Sequence, residues 1–345
     1  MRTAYFDRLR VVSVFFIVMI HAAAYCWYDA DLASADWLVL NAYKALARWA
    51  VPVFVMISGA LFLDREIPLK KLYGKYVLRL VLAFIIWSLI YAVVSNARWG
   101  MASVLIVALT SHYHLWFLPM VIGLYICLPV LRLFTKTEKT TRYFLLISFL
   151  ITIVIPQLLN LLKDFGGELC AKYVDLINLK IMGDFDLSLC LGYIFFFVFG
   201  FYINKTELEK GRRTLIYILG LLGLALTIIL TTLNGRLSGA PSDTYHGYLT
   251  VNVALMALAV FVFFKYNVRL SGKSDGVWAF LGKCTFGVYL IHPLVMELAD
   301  TYLGFTALSL NPVLGVPAVA AVTFAISLAV SAGLNKLPGT HRFLE

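Results

Sequence analysis

An arginine and a histidine, Arg10 and His21, stand eleven residues apart in one apolar run near the start of the chain, DRLRVVSVFFIVMIH. At about 100° per residue, eleven steps along a helix return to within roughly 20° of the start. The two side chains therefore share a face and lie about 16 Å apart along the axis. A histidine that deep in an apolar run is costly unless it faces protein or a water-filled cavity. Its neutral imidazole would be a proton acceptor for general-base chemistry. A histidine bonded structurally to a neighbouring helix, with Arg10 as a basic anchor, satisfies the same spacing. Asp7 precedes Arg10 by three residues, close enough on a helix to orient it.

Other polar groups sit in apolar surroundings. The stretch KALARWAVPVFVMISG puts Lys44 and Arg48 four apart on one helix face. A charge at mid-bilayer costs about 2.5–3.5 kcal/mol on insertion scales, so Lys44 is expected to snorkel outward and Arg48 to face the bundle interior. Pro52, Ser58 and Gly59 imply a kinked helix packed closely on a neighbour. In REIPLKKLYGKYVLRL, the residues Lys71, Lys75 and Arg79 recur every four positions. Such a basic stripe suits lipid headgroups, or a clamp on phosphates. SHYHLWFLP carries His112, His114 and Trp116, and FGVYLIHP carries Tyr289 and His292. Each reads as an interfacial aromatic anchor or as a site group that orients a substrate hydroxyl. There is no GxSxG, Walker loop, HExxH or glycine-rich dinucleotide turn. The five cysteines show no metal-ligand spacing and no disulfide framework. No metal and no permanently bound cofactor is expected.

These side chains need a scaffold, and composition defines it. Of 345 residues, 61% are hydrophobic and 14% charged, against roughly 25% charged in soluble domains. The fold class is all-α: a polytopic integral membrane protein forming one domain over residues 1–345. About 20 apolar residues span a bilayer, and ten segments qualify: roughly 9–28, 40–63, 77–96, 114–134, 143–162, 187–203, 214–233, 246–266, 277–297 and 312–334. Met101–Thr110 is apolar but short, and Lys163–Asp186 is the longest external loop. With the N-terminus inside, 22 of the 29 Lys and Arg residues fall on the inner side and five on the outer. The positive-inside rule then places both termini in the cytoplasm. The net charge of +10 sits on the anionic inner leaflet and calls for no nucleic acid.

The chain resembles the membrane acyltransferase type 3 family. The arginine, ten residues and histidine of the first helix match the family signature at Arg10 and His21. AVPVFVMISGALF is similar to its second-helix block, YHLWFL to its HLWFL block, and FGVYLIHPL to its late YxxHP block. The likeness covers essentially the whole chain and is strongest to the stand-alone O-acetyltransferase branch, similar to that of enterobacterial common antigen. Some members carry an RxxR pair at the third helix. Here those positions read Tyr76 and Arg79, so only Arg79 carries over.

The resemblance implies transfer of an acyl group, usually acetyl, from cytosolic acyl-CoA to a hydroxyl of an extracytoplasmic or lipid-linked envelope glycan, at a bacterial inner membrane. It implies His21 as the base and Arg10, Lys71, Lys75 and Arg79 as the mouth that holds the CoA phosphates. Arg48 is the candidate oxyanion stabiliser, and His114, Trp116, Tyr289 and His292 face the acceptor. The rival class is a transporter of an amino acid or lipid-linked sugar with His21 as a proton relay, and a structural partner in an envelope-synthesis complex is a third.

Overall fold

The structure, a computed structural model, describes residues 4–96, 111–177, 187–268 and 275–336. All regular structure among the described residues is helical. The order is α1 (Ala4–Trp27), α2 (Ala35–Ala47), α3 (Ala50–Phe62), α4 (Leu69–Lys71), a π-helical turn (Leu72–Val77) and α5 (Leu78–Asn96). Then come α6 (Phe117–Phe134), α7 (Glu138–Phe149), a second π-helical turn (Leu150–Val154), α8 (Ile155–Phe165), α9 (Gly167–Ile177), α10 (Leu187–Lys205) and α11 (Lys210–Ser238). After a 3₁₀ turn (Thr244–His246) the chain closes with α12 (Val251–Asn267), α13 (Asp275–Leu303) and α14 (Pro312–Leu334).

Nine helical runs among the described residues are long and apolar enough to cross a membrane. The expected sixth span, 187–203, coincides with α10, an apolar helix that is not one of those nine. The chain is thus a polytopic helical membrane protein. Met101–Thr110 and the segment 178–186 lie outside the described residues. The rest of the expected external loop is not irregular. Gly167–Ile177 forms α9, which packs back on α8 and is tied to it by Lys163 and Asp175 at 2.6 Å.

Helix α1 is the hub and touches α2, α3, α13 and α14. Close approach of α3 and α10 depends on small residues, as is usual where lipid gives no hydrophobic drive. A Cβ on Gly59 of α3 would overlap the Phe197 carbonyl of α10, and one on Gly200 would overlap the Met56 backbone. The α2–α3 run is the most enclosed of the nine, with 72% of its apolar window buried, and α11 the least at 22%. The apolar outer face of α11 is therefore a lipid-facing surface.

The expected second span is broken where Pro52 sits in the first turn of α3. Proline has no N–H to continue the preceding ladder, so α2 ends and α3 begins anew. Arg48 caps α2 at that joint.

Candidate active site

One stripe of α1 lines three cavities in succession. Asp7 and Arg10 line the first, of about 610 Å³. Val14, Ile17 and His21 line the second, of about 50 Å³. His21, Ala24, Tyr25 and Tyr28 line the third, of about 630 Å³. These positions step by three or four residues, the repeat of a single helix face. The narrow middle space shares Phe54, Phe117 and Phe286 with the first cavity. It shares His21, Trp116 and Tyr248 with the third.

The first cavity is basic. Arg10, Arg65, Arg79 and Lys283 line it against one carboxylate, Asp7. Asp7 is buried and lies 3.7 Å from Arg10, one turn on. A Cβ on Gly282 would stand 3.2 Å from Asp7 Oδ1, so glycine lets α13 pack against that pair. Arg132 donates to the carbonyls of Phe62 and Arg65 and fixes the turn that presents Arg65. The expected basic stripe does not form as one face. The π-helical turn over Leu72–Val77 changes the register at the start of the third span. Tyr76 and Arg79 reach the cavity, while Lys71 and Lys75 are exposed and line none of it.

At the narrow space the histidines converge. The His21 ring lies 5.0 Å from that of His292 and 5.4 Å from Tyr113. His292 is fully buried inside α13, and its Nδ1 faces the Tyr289 carbonyl at 2.8 Å. A carbonyl can only accept, so Nδ1 carries the proton and Nε2 keeps a lone pair. That Nε2 has no hydrogen-bond partner among the described residues. It is available to receive an N–H from His21, which would leave the other His21 nitrogen free to act as a base. Tyr289 donates to the His114 carbonyl at 2.7 Å and holds the α6 approach against α13. His112 links His114 at 2.8 Å to Glu297 at 2.9 Å. Among the described residues no group of three or more His, Cys, Asp or Glu is disposed to hold a metal.

The third cavity is aromatic and charged. Trp116 stacks on Tyr248 with centroids 5.8 Å apart. Asp243, from the turn after α11, pairs with Lys44 Nζ at 2.8 Å and accepts from Arg48 at 2.8 Å and from the Tyr28 hydroxyl. Burial alone would raise the Asp243 pKa. The His246 contact and the charges of Arg48 and Lys44 outweigh that and hold the carboxyl far below its usual range. Lys44 does not snorkel outward. It is 1% exposed, over the Trp27 ring at 3.3 Å, because Asp243 is brought in to meet it. Arg48 does face inward, but its terminal nitrogens are engaged by Asp243 and by Tyr248 at 3.0 Å. It lines the third cavity and not the narrow space, so the structure does not place it at a reacting carbonyl.

Of the residues singled out by sequence, His21, His114, Trp116 and Tyr289 surround the narrow space, and His292 backs His21. Arg10, Arg79 and Asp7 meet at the first cavity. Reasoning from sequence missed Arg65 and Lys283, which read as ordinary basic termini, and Asp243, nearly 200 residues from its partners. The polar run SGAPSDTYHG around Asp243 was the one available signal for a structured turn.

A family model described as an acyltransferase domain matches residues 3–332, almost the whole chain. No curated protein and no solved structure matches it.

Proposed function

The chain belongs to the membrane acyltransferase type 3 family, and we propose that it moves an acetyl group from cytosolic acetyl-CoA to a hydroxyl of an extracytoplasmic or lipid-linked envelope glycan. The observation that carries this reading is the single stripe of α1 that lines a basic cavity, a narrow passage at His21 and an aromatic cavity, in that order. Such a path brings two substrates from opposite ends to one reacting pair.

In this reading the basic cavity is the cytoplasmic mouth, as the Lys and Arg distribution requires. Arg10, Arg65, Arg79 and Lys283 hold the phosphates of CoA through charge-assisted hydrogen bonds. The pantetheine arm runs toward Ile17 and presents the thioester at His21. The acceptor sugar enters from the other side and lies on Trp116 and the neighbouring tyrosines. Neutral His21 removes the hydroxyl proton as the sugar oxygen attacks the thioester carbonyl. The C–S bond then breaks, and the proton on His21 passes to the departing sulfur, so CoA leaves as the thiol. His292 supports the orientation of His21, and the phenylalanines of the passage exclude water, which would otherwise hydrolyse the thioester. Lys71 and Lys75 serve as an anchor on the inner leaflet.

The reading extends to a bacterial inner membrane and to the O-acetyltransferase branch that the sequence resembles. The decisive experiment measures acetyl-CoA binding to the purified protein, then transfer of radiolabelled acetyl to a panel of glycan acceptors. Saturable binding that competes with CoA, with label appearing on a saccharide, is the expected result. A folded protein that ignores acetyl-CoA but moves an amino acid or a lipid-linked sugar across vesicles would establish the transporter class instead.

A further inference from the structure

The aromatic cavity brings two basic side chains to one carboxylate. Lys44 and Arg48 both point at the same oxygen, Asp243 Oδ1, at 2.8 Å each. Here two buried cations, 1% and 10% exposed at the side chain, share a single carboxylate that is 40% exposed. Nε of Arg48 has no hydrogen-bond partner among the described residues. A guanidinium with a donor still unused can take a further anionic partner through a charge-assisted hydrogen bond. Six aromatic side chains line it as well: Tyr25, Tyr28, Tyr113, Trp116, Tyr193 and Tyr248. Such rings offer flat apolar faces with polar edges, the surface that suits a sugar ring.

We propose that this cavity selects a saccharide carrying an anionic group, which Lys44 and Arg48 hold, over a neutral saccharide. The proposal rests on the acyl-transfer reading only in calling that saccharide the acceptor. The anion is the carboxylate of an acidic sugar or the diphosphate of a polyprenyl carrier, since both present paired oxygens to a guanidinium. Asp243 holds the two cations in place while the site is empty and competes with the ligand for them.

The test needs four probes: methyl glucuronide with methyl glucoside as its neutral partner, and N-acetylglucosamine on a short polyprenyl diphosphate with the same sugar on the plain prenyl alcohol. Binding to the purified full chain is followed by tryptophan fluorescence without acetyl-CoA. One charged probe should bind at least about tenfold more tightly than its neutral partner, the scale of one charge-assisted contact. Which charged probe does so identifies the source of the anion. Arg48→Gln should erase the preference and Arg48→Lys should keep part of it. Asp243→Asn, which removes the competing carboxylate, should strengthen it, so a poorly folded Arg48→Gln protein does not leave the question open. Equal binding within both pairs overturns the proposal, as does a preference that Asp243→Asn weakens. Acetyl transfer is then assayed with the same probes. Charged probes that bind as stated but accept no acetyl would remove the transferase reading and leave the anion site standing. Transfer at equal rates to charged and neutral probes would do the reverse.

Discussion

The size of the middle passage makes a prediction about the donor. It holds about 50 Å³, and one water needs roughly 10–15 Å³ of such space. The passage therefore has room for about three to five small heavy atoms. An acetyl thioester tip has four: methyl carbon, carbonyl carbon, oxygen and sulfur. Butyryl adds two methylenes, which crowd Ile17, Phe54, Phe117 or Phe286 where the acyl tip is held within the passage. Overpacking of this kind costs about 1–3 kcal/mol, which at about 1.36 kcal/mol per decade is roughly a 5- to 150-fold loss in rate. Acetyl-CoA should therefore exceed butyryl-CoA in kcat/KM by a factor in that range, read as release of the CoA thiol at fixed acceptor. Phe54, half-buried and edge-on to Phe117 with centroids 6.2 Å apart, lines both the basic cavity and the passage. Phe54→Leu should open the passage and shrink the ratio by about tenfold, mostly by rescuing butyryl. If the wild type uses both donors equally, or if Phe54→Leu slows both in proportion, the passage does not gate the acyl chain.

Other consequences are as direct. His21→Gln should fold, bind acetyl-CoA near normally and lose about 10²–10⁴ in turnover; wild-type turnover should rise with pH on its acid limb, because only neutral imidazole accepts the proton, and a fully active His21→Gln enzyme would remove the base role. Arg79→Ala should weaken acetyl-CoA binding by about tenfold, with high salt adding to the loss, whereas Lys75→Ala should leave affinity unchanged, since Lys75 lies outside the cavity; calorimetry with both variants decides between a phosphate clamp and a lipid anchor. Because the Asp243 pKa is depressed in the folded protein, the stability its ionised form contributes is complete above the unfolded value of about 3.9 and is lost as pH falls below that. The Tm advantage of wild type over Asp243→Asn should then be flat from about pH 8 to 5 and shrink in stronger acid; a gap that widens in acid would show that the carboxyl is not held ionised. Cys170 should react with an impermeant maleimide only from the outer face, and labelling from the cytosol alone would invert the topology.

Local periodicity carried much of this molecule. The Arg10–His21 spacing located the face of α1 that lines all three cavities, and apolar run length located the spans. Pro52 foretold the break that sets Arg48 at a helix joint. What escaped depends on long-range pairing or on register. Asp243 lies 199 residues from Lys44 and 195 from Arg48, and no local pattern couples them. With that partner unseen, snorkelling was the cheaper account of Lys44. The stripe at Lys71, Lys75 and Arg79 assumed an α-helical period, and the π-helical turn removed the assumption. Tyr289 and His292 suited an aromatic belt because their depth was unknown, but α13 buries both beside His21.

Among the described residues, two large cavities share their linings with a small one between them. A single open channel would admit water to the thioester and would dissipate gradients across the membrane. Three phenylalanines and Ile17 narrow the passage, yet His21 lies on its boundary with the aromatic cavity and so borders both spaces. Fixing that boundary needs α1 to be rigid relative to α3 and α13. The close packing of Gly282 against Asp7 ties α1 to α13, and α1 also contacts α3 directly. An added methyl at Gly282 would press on Asp7, shift its partner Arg10 and so disturb the basic cavity, while His21, about 16 Å from Arg10 along α1, kept its place. In the proposed mechanism, donor affinity and chemistry would in this way be separable along one helix.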